Sequence, residues 1–460
     1  FFVKARRTEA KSIGSAASGA ASSDPATISR RAAMRIARSW KGYRVQAMRR
    51  FARWTGYVLL VLVLLGGLFW LTRGYWLDRI YYLGPVSAHY DGQRFRNPTG
   101  DGDQVSPFKV GIDRLWRTAS GQRGDAWPET IPVTPSRPPA RVEGQAIRAT
   151  WVGHATVLIQ TQGLNILTDP IWSDVAGPWN SIGPRRVRAP GVRFEDLPRI
   201  DLVLVSHNHY DHMDLPTLQR LWRRDRPLIV TGLGNDAILR DAGVAAQARD
   251  WGGRVAVRPG VSVIVERVQH WSSRWGEDRN RALWSGFTLT LPSGNIFFAG
   301  DTGWGDGSWP RDAARHGPVR LAVLPIGAYH PREVFGRSHI DPAEAVRVQK
   351  LLGADKALGI HWGTFHLTDE GPDVPPRELI AQTKAAGVAA DRFVTIQPGQ
   401  AIAIAAADPA YLSLRTSAAV SEVVTPLSAL VSVPIAKVAI LASLITTIAV
   451  GAPSVPFLTS

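Results

Sequence analysis

The chain has 460 residues, enough to bury a large core and to hold two or three domains. It contains no cysteine, which excludes a disulfide framework and thiolate metal sites such as zinc fingers. Its net charge of +16 is concentrated: residues 1–53 hold thirteen Lys or Arg against Glu9 and Asp24, which accounts for eleven of the sixteen charges. The remainder is close to neutral, so no nucleic-acid-binding face is indicated on it.

Residues 1–53 are rich in Ala, Ser and Arg and read as a basic, disordered N-terminal arm or a targeting segment. Met48-Arg49-Arg50 is a sensible bacterial start, which would make 1–47 an upstream extension, and composition assigns that stretch no function. From Trp54 to Thr72 run nineteen residues without a charge. That is close to the roughly 20 needed to cross a bilayer as a helix, and no polar stripe interrupts them. Arg49, Arg50 and Arg53 precede this stretch and put the N-terminus in the cytoplasm. The remainder then lies across an inner (plasma) membrane, on the periplasmic side. A cleaved signal peptide is the rival reading, but Gly66-Gly67-Leu68-Phe69-Trp70-Leu71 stays bulky and offers no small-x-small cleavage site. An uncleaved single-pass anchor is expected.

Residues 73–145 are rich in Pro, Gly, Arg and Trp and read as a segment wrapping the main domain. From 146 to 405, short β-branched runs alternate with helical patterns, which predicts a mixed α/β domain. Predicted strands include Ala149–Val152, Thr156–Ile159, Leu202–Val205, Val261–Val265, Asn295–Ala299, Leu321–Leu324, Ala357–Ile360 and Phe393–Ile396. Directly after the third comes Ser206-His207-Asn208-His209-Tyr210-Asp211-His212. Imidazole and carboxylate are the ligands that zinc or iron prefers. In a tightly turning loop, His207 and His209 can face one metal while Asp211 and His212 face a second.

Further candidates stand at later strand ends, where α/β folds collect functional residues: His270, Asp301 and His361. Either histidine alone would be an ordinary satisfied side chain; beside the first cluster, each becomes a ligand. Asp341-Pro342-Ala343-Glu344 opens a helix with a capping box, two residues after His339. The Trp-rich stretch from Trp271 to Trp284 is placed to meet lipid. The tail over 406–460 is apolar from Leu427 to Val450 apart from Lys437, with Pro434 as a breaker. A second span, a packing arm and a read-through sequence all remain open for it.

The His-x-His-x-Asp-His pattern with later His, Asp and His resembles that of the metallo-β-lactamase fold hydrolases. Within them, the chain is similar to the N-acyl-phosphatidylethanolamine-hydrolysing phospholipase D group and its bacterial relatives. The strings that carry this are Trp151-Val152-Gly153-His154-Ala155-Thr156, Leu167-Thr168-Asp169-Pro170-Ile171, Ser206 through Asp214 and Gln269-His270-Trp271. They continue through Phe298–Gly303, Pro325–Tyr329 and His361-Trp362-Gly363-Thr364-Phe365, in order over about residues 84–400. The resemblance implies an α/β fold, the αββα sandwich, preceded here by one transmembrane helix. It implies two zinc ions, one held by His207, His209 and His270, the other by Asp211, His212 and His361, with Asp301 bridging. His154 and Asp169 would orient ligands. Ser338 stands where the group often has Gln, and His330 where an acid is frequent, both near the expected substrate pocket.

The implied reaction is in-line attack of water on a phosphodiester phosphorus, turning N-acyl-phosphatidylethanolamine-like phospholipids into phosphatidic acid and N-acylethanolamine. Asp211 and Asp301 belong to the catalytic set. His339 would stabilise the phosphate or protonate the leaving group; its alternative role is capping its loop. The expected partners are a phospholipid substrate and the membrane, with a homodimer as a compatible state and no nucleic acid. A lactonase, β-lactam hydrolase or non-lipid phosphodiesterase of the same fold is the first alternative. A non-catalytic membrane protein with structural metal is the second, opposed by a set of seven ligands, since structural zinc sites are closed around one metal.

Overall fold

The computed structural model describes residues 25–100, 116 and 124–407, and the chain divides into two units, Phe1–Tyr75 and Trp76–Ser460. The first is represented by helix α1 (Pro25–Leu77), 53 residues long. This helix is long and apolar enough to cross a membrane. Residues 25–53, part of the arm expected to be disordered, are helical. Ala and Arg are strong helix formers, and a segment joined to an existing helix avoids the nucleation cost that leaves short helices marginal. The apolar tail from residue 408 onward lies outside the described residues.

The second unit is an αββα sandwich. Its first half supplies β1 (Ile147–Gly153), β2 (Thr156–Thr161), β3 (Leu164–Thr168), β4 (Leu202–Val205), β5 (Leu228–Gly232) and β6 (Gln247–Arg249). Its second half supplies β7 (Arg254–Arg258), β8 (Val261–Glu266), β9 (Gly286–Thr290) and β10 (Asn295–Phe298). Then come β11 (Val319–Pro325), β12 (Lys356–Ile360) and β13 (Phe393–Val394), before β14 (Ala401–Ile404) returns to pair with β1. One sheet has the order β14-β1-β2-β3-β4-β5-β6 and the other β13-β12-β11-β10-β9-β8-β7. Strands β3 to β6 are parallel to one another, as are β10 to β13.

The alternation of a strand explains the layering. Leu202 and Leu204 of β4 enter the core that also holds Val263, Phe287 and Phe298 of the second sheet. Val203 and Val205 point the other way, to the core beneath helices α2 (Leu215–Asp225) and α3 (Asn235–Asp241). Helices α4 (Trp309–Ala314), α5 (Arg332–Phe335), α6 (Pro342–Leu352) and α7 (Val374–Ala385) follow from the second half. The capping box predicted for α6 is present: Glu344 N–H donates to Asp341 Oδ1 at 2.8 Å, and Asp341 N–H to Glu344 Oε2 at 3.1 Å.

The described parts of 76–145 are held to this body by polar contacts. Asp78 pairs with Arg94 at 2.8 Å and with Arg281 at 2.6 Å, and the Tyr81 hydroxyl donates to Asp278 at 2.7 Å. Trp127 Nε1 donates to Glu370 O at 3.0 Å. The Trp271–Trp284 stretch departs in part from expectation. Trp284 is fully buried with its indole N–H on Val268 O at 3.1 Å, so only Trp271 and Trp275 keep exposed ring surface.

Candidate metal centre

The C-terminal ends of β3, β4, β10 and β12 come to one edge of the sandwich, and each carries a candidate residue just beyond it: Asp169, the 206–212 loop, Asp301 and His361. His270 follows β8, and His154 sits in the turn between β1 and β2. Backbone hydrogen bonds join the two halves there. His361 N–H donates to His154 O at 3.0 Å and Ser285 N–H to Ser206 O at 2.9 Å; within the second half, Ile340 N–H donates to Thr302 O at 2.7 Å. Gly300 precedes Asp301 at φ +60°, where an added Cβ would lie 2.5 Å from Ser206 Cβ, so only glycine lets β10 pass this close to the 206–212 loop. His154 (φ 54°), Asp169 (φ 30°) and His361 (φ 64°) also hold left-handed backbone. Such strain persists where surrounding structure over-determines it and tends to gather at functional sites.

The seven residues singled out from sequence meet here as two donor sets. In one, His207 Nε2 lies 2.7 Å from His209 Nδ1, and His270 Nε2 lies 3.4 Å from the same His209 Nδ1. In the other, His212 Nε2 and His361 Nε2 are 3.3 Å apart. Asp211 Oδ2 lies 3.4 Å from His212 Nε2 and 3.7 Å from His361 Nε2. Asp301 Oδ2 belongs to both sets: it is 3.1 Å from His212 Nε2, 3.1 Å from His361 Nε2 and 4.0 Å from His270 Nε2. His339 Nδ1 stands 3.8 Å from the same oxygen.

Burial pushes His207 and His270 well below the ordinary imidazole value and takes His209 down to about 3. Burial opposes charge on His212 and His361 as well, but Asp301 and Asp211 outweigh it. His212 is lifted well above its ordinary value and His361 to about 9. Burial alone would raise Asp211 and Asp301, yet the imidazoles around them, His212 first, hold both well below the usual carboxylate range. Burial lowers His339 to about 4, so its ring is neutral at neutral pH.

The donor sets fit divalent metal. A neutral imidazole offers one lone pair. Bonds of about 2.0–2.1 Å to nitrogen or oxygen put tetrahedral ligand atoms about 3.3 Å apart, and the spacings here run from 2.7 to 4.0 Å. Asp301 Oδ1 is buried without a hydrogen-bond partner, a costly state for a carboxylate oxygen that a cation would relieve. The cluster is able to bind metal.

Neighbouring groups fix these donors. His154 Nε2 is 2.9 Å from Asp211 Oδ2. Asp169 accepts from Ser206 N–H at 2.7 Å and from Ser206 Oγ–H at 2.6 Å, and faces His212 Nδ1 at 2.7 Å. His270 Nδ1 contacts the carbonyl of Ser338 at 2.9 Å, so the Ser in place of Gln leaves that contact untouched. Arg274 belongs to none of the sequence motifs above. Its guanidinium donates to the carbonyls of Asn208 and Met213, both at 3.0 Å, and lies over the Tyr210 ring, holding the 206–212 loop from beneath. Beside His154 and His361, a cavity is lined by Trp127, Ala328, Phe365 and Leu367.

Comparison with known proteins agrees with this geometry. Residues 164–362 match the Beta-lactamase superfamily domain. The chain is 35% identical over 264 residues to N-acyl-phosphatidylethanolamine-hydrolyzing phospholipase D 1 of Caenorhabditis elegans, across 55% of this chain and 74% of that protein. It is 32% identical over 334 residues to an uncharacterized protein of Mycobacterium tuberculosis, across 68% and 88%. It is 29% identical over 240 residues to a metal-dependent hydrolase of Nitratidesulfovibrio vulgaris, across 48% and 83%. With two sheets face to face and a His/Asp cluster at their common edge, the chain belongs to the metal-dependent hydrolases of the metallo-β-lactamase fold, as a homologue of the N-acyl-phosphatidylethanolamine-hydrolysing phospholipases D.

Proposed function

We propose that this protein is a membrane-anchored dinuclear zinc phosphodiesterase of phospholipase D type, acting on N-acyl-phosphatidylethanolamine-like lipids. The observation that carries the reading is the position of Asp301 Oδ2, common to two donor sets, in a homologue of enzymes named for that lipid. His207, His209 and His270 would hold one zinc, Asp211, His212 and His361 the other, with Asp301 between them. Bound there, the two ions supply Lewis-acid polarisation of a phosphoryl oxygen and a water acidic enough to react near neutral pH.

Hydrolysis adds a water oxygen to phosphorus and breaks the bond to the ethanolamine oxygen, which leaves with a proton as N-acylethanolamine; phosphatidic acid remains. His154 holds Asp211, and Asp169 with Ser206 holds His212, so neither donor turns away during turnover. His339, neutral when no substrate is near, donates a hydrogen bond to the phosphate from its ring N–H. The negative charge of a phosphodiester beside it would raise its pKa toward that of a general acid for the leaving oxygen. The span Trp54–Thr72 anchors the chain in an inner membrane with the catalytic body on the periplasmic side, next to its substrate.

The test uses the full chain in lipid vesicles, measuring bound zinc and the products formed from N-acylated and plain phosphatidylethanolamine. The wild type should hold two zinc ions and release phosphatidic acid, and Asp301→Asn should lose zinc and several orders of magnitude in turnover. Undiminished lipid hydrolysis in the variant would overturn the mechanism. Turnover of lactones or β-lactams with none on phospholipid would replace the substrate.

A further inference from the structure

The basic half of α1 has a pattern that composition alone does not reveal. At about 100° per residue, Ile36, Trp40, Tyr43, Ala47, Phe51 and Trp54 fall within an arc of about 80°. Arg30, Arg31, Arg35, Arg38, Lys41, Arg49 and Arg53 spread over the opposite side, interrupted by Met34, Val45 and Met48; Arg44 and Arg50 flank the apolar arc. No Asp or Glu occurs from Pro25 to Leu77. The apolar arc stands open, with Trp40 65%, Tyr43 70%, Phe51 75% and Trp54 71% exposed. A helix of a water-soluble domain buries such a stripe against a core.

We infer that residues 29–54 lie flat on an anionic phospholipid surface, the aromatic arc sunk into the headgroup boundary and the cations among the phosphates. The inference rests on the reading of Trp54–Thr72 as a membrane span. Charge argues for lipid, since nine cations without an acid attract an anionic leaflet. Continuity argues for it too, because the stripe runs directly into the apolar stretch. Interfacial helices pair an aromatic face with a Lys/Arg face, and long cationic side chains at the boundary reach up to phosphate. Single-stranded nucleic acid instead asks for aromatics interleaved with cations in one groove; here the two occupy opposite sides. The chain also has a place to turn from lying flat to crossing. Thr55 Oγ1 donates to Phe51 O at 2.9 Å, a back-bond that favours helix bending, and Gly56 follows.

The absence of cysteine makes the test direct. Spin labels are placed in the full chain at Ala47→Cys in the apolar arc, Ala52→Cys opposite it and Val61→Cys in the span, in phosphatidylcholine vesicles with or without phosphatidylglycerol. The label at 61 should read as bilayer interior in both. With phosphatidylglycerol, the ratio of oxygen to aqueous-relaxant accessibility at 47 should rise several-fold above that at 52. High salt, or the combined change Arg31→Glu, Arg35→Glu and Arg38→Glu, should abolish that rise and leave 61 unchanged. Equal aqueous exposure at 47 and 52 with 61 buried would overturn this inference alone. Aqueous exposure at 61 would overturn the span and the inference with it. Protection of 47 by an RNA oligonucleotide and not by phosphatidylglycerol would overturn it in favour of nucleic acid.

Discussion

Asp169 is fully buried and touches no substrate-facing surface, yet its three contacts decide which way His212 presents its ring. With Nδ1 turned to the carboxylate, Nε2 is left free toward Asp301 and His361. Asp169→Asn should therefore lower the affinity for divalent metal by roughly 10–100-fold while circular dichroism stays as in the wild type. Competition with a chromophoric chelator measures it, and unchanged affinity would refute the role. At this scale, legibility depended on sequence distance. His207 to His212 announce themselves because six neighbouring positions hold four donors. Arg274 stayed silent because it acts on backbone carbonyls 61 and 66 positions away, which no side-chain pattern records.

Among the elements, long apolar runs were readable and short or Gly-bearing ones were not. Leu202–Val205 matches β4 residue for residue, and β1, β2, β8, β10, β11 and β12 overlap their predicted runs. Strand β6 (Gln247–Arg249) has one exposed and two half-buried residues and no apolar alternation, while β9 opens on Gly286. Both exist because neighbours pair with them, a tertiary cause absent from local propensity. The helix signal at α6 was local and therefore legible. Its capping box does more than begin a helix: Glu344 also holds Arg332 at 2.9 Å, and Arg332 donates to the carbonyl of His339 at 3.0 Å. Asp341→Ala should cost about 1 kcal/mol in urea unfolding and should weaken turnover through the loosened His339 loop. No change in either would show that the cap and the loop are independent.

For the molecule as a whole, neither the order of two seven-stranded sheets nor the route of the segment after α1 could be read from periodicity. That segment is held by Asp78, whose carboxylate is lowered by its Arg281 hydrogen bond, with burial opposing and Arg94 assisting. A depressed folded-state pKa means that this stabilisation is complete above the ordinary carboxylate value and is lost as pH falls through the folded value. Unfolding midpoints followed from neutral to acid pH should decline less steeply for Asp78→Asn, which starts lower at neutral pH. Parallel curves would rule the pair out as an acid-sensitive fastening.

The hydrogen bond from His361 to His154 and the 149-position gap between His212 and His361 have a consequence beyond chemistry. The donors are drawn from both sheets, so an ion seated among them closes long loops of chain much as a covalent cross-link would. Loss of the ion and parting of the sheets along that edge become one coupled event. The His/Asp cluster is then also the clasp of the sandwich, and mass action on the ion tightens both together.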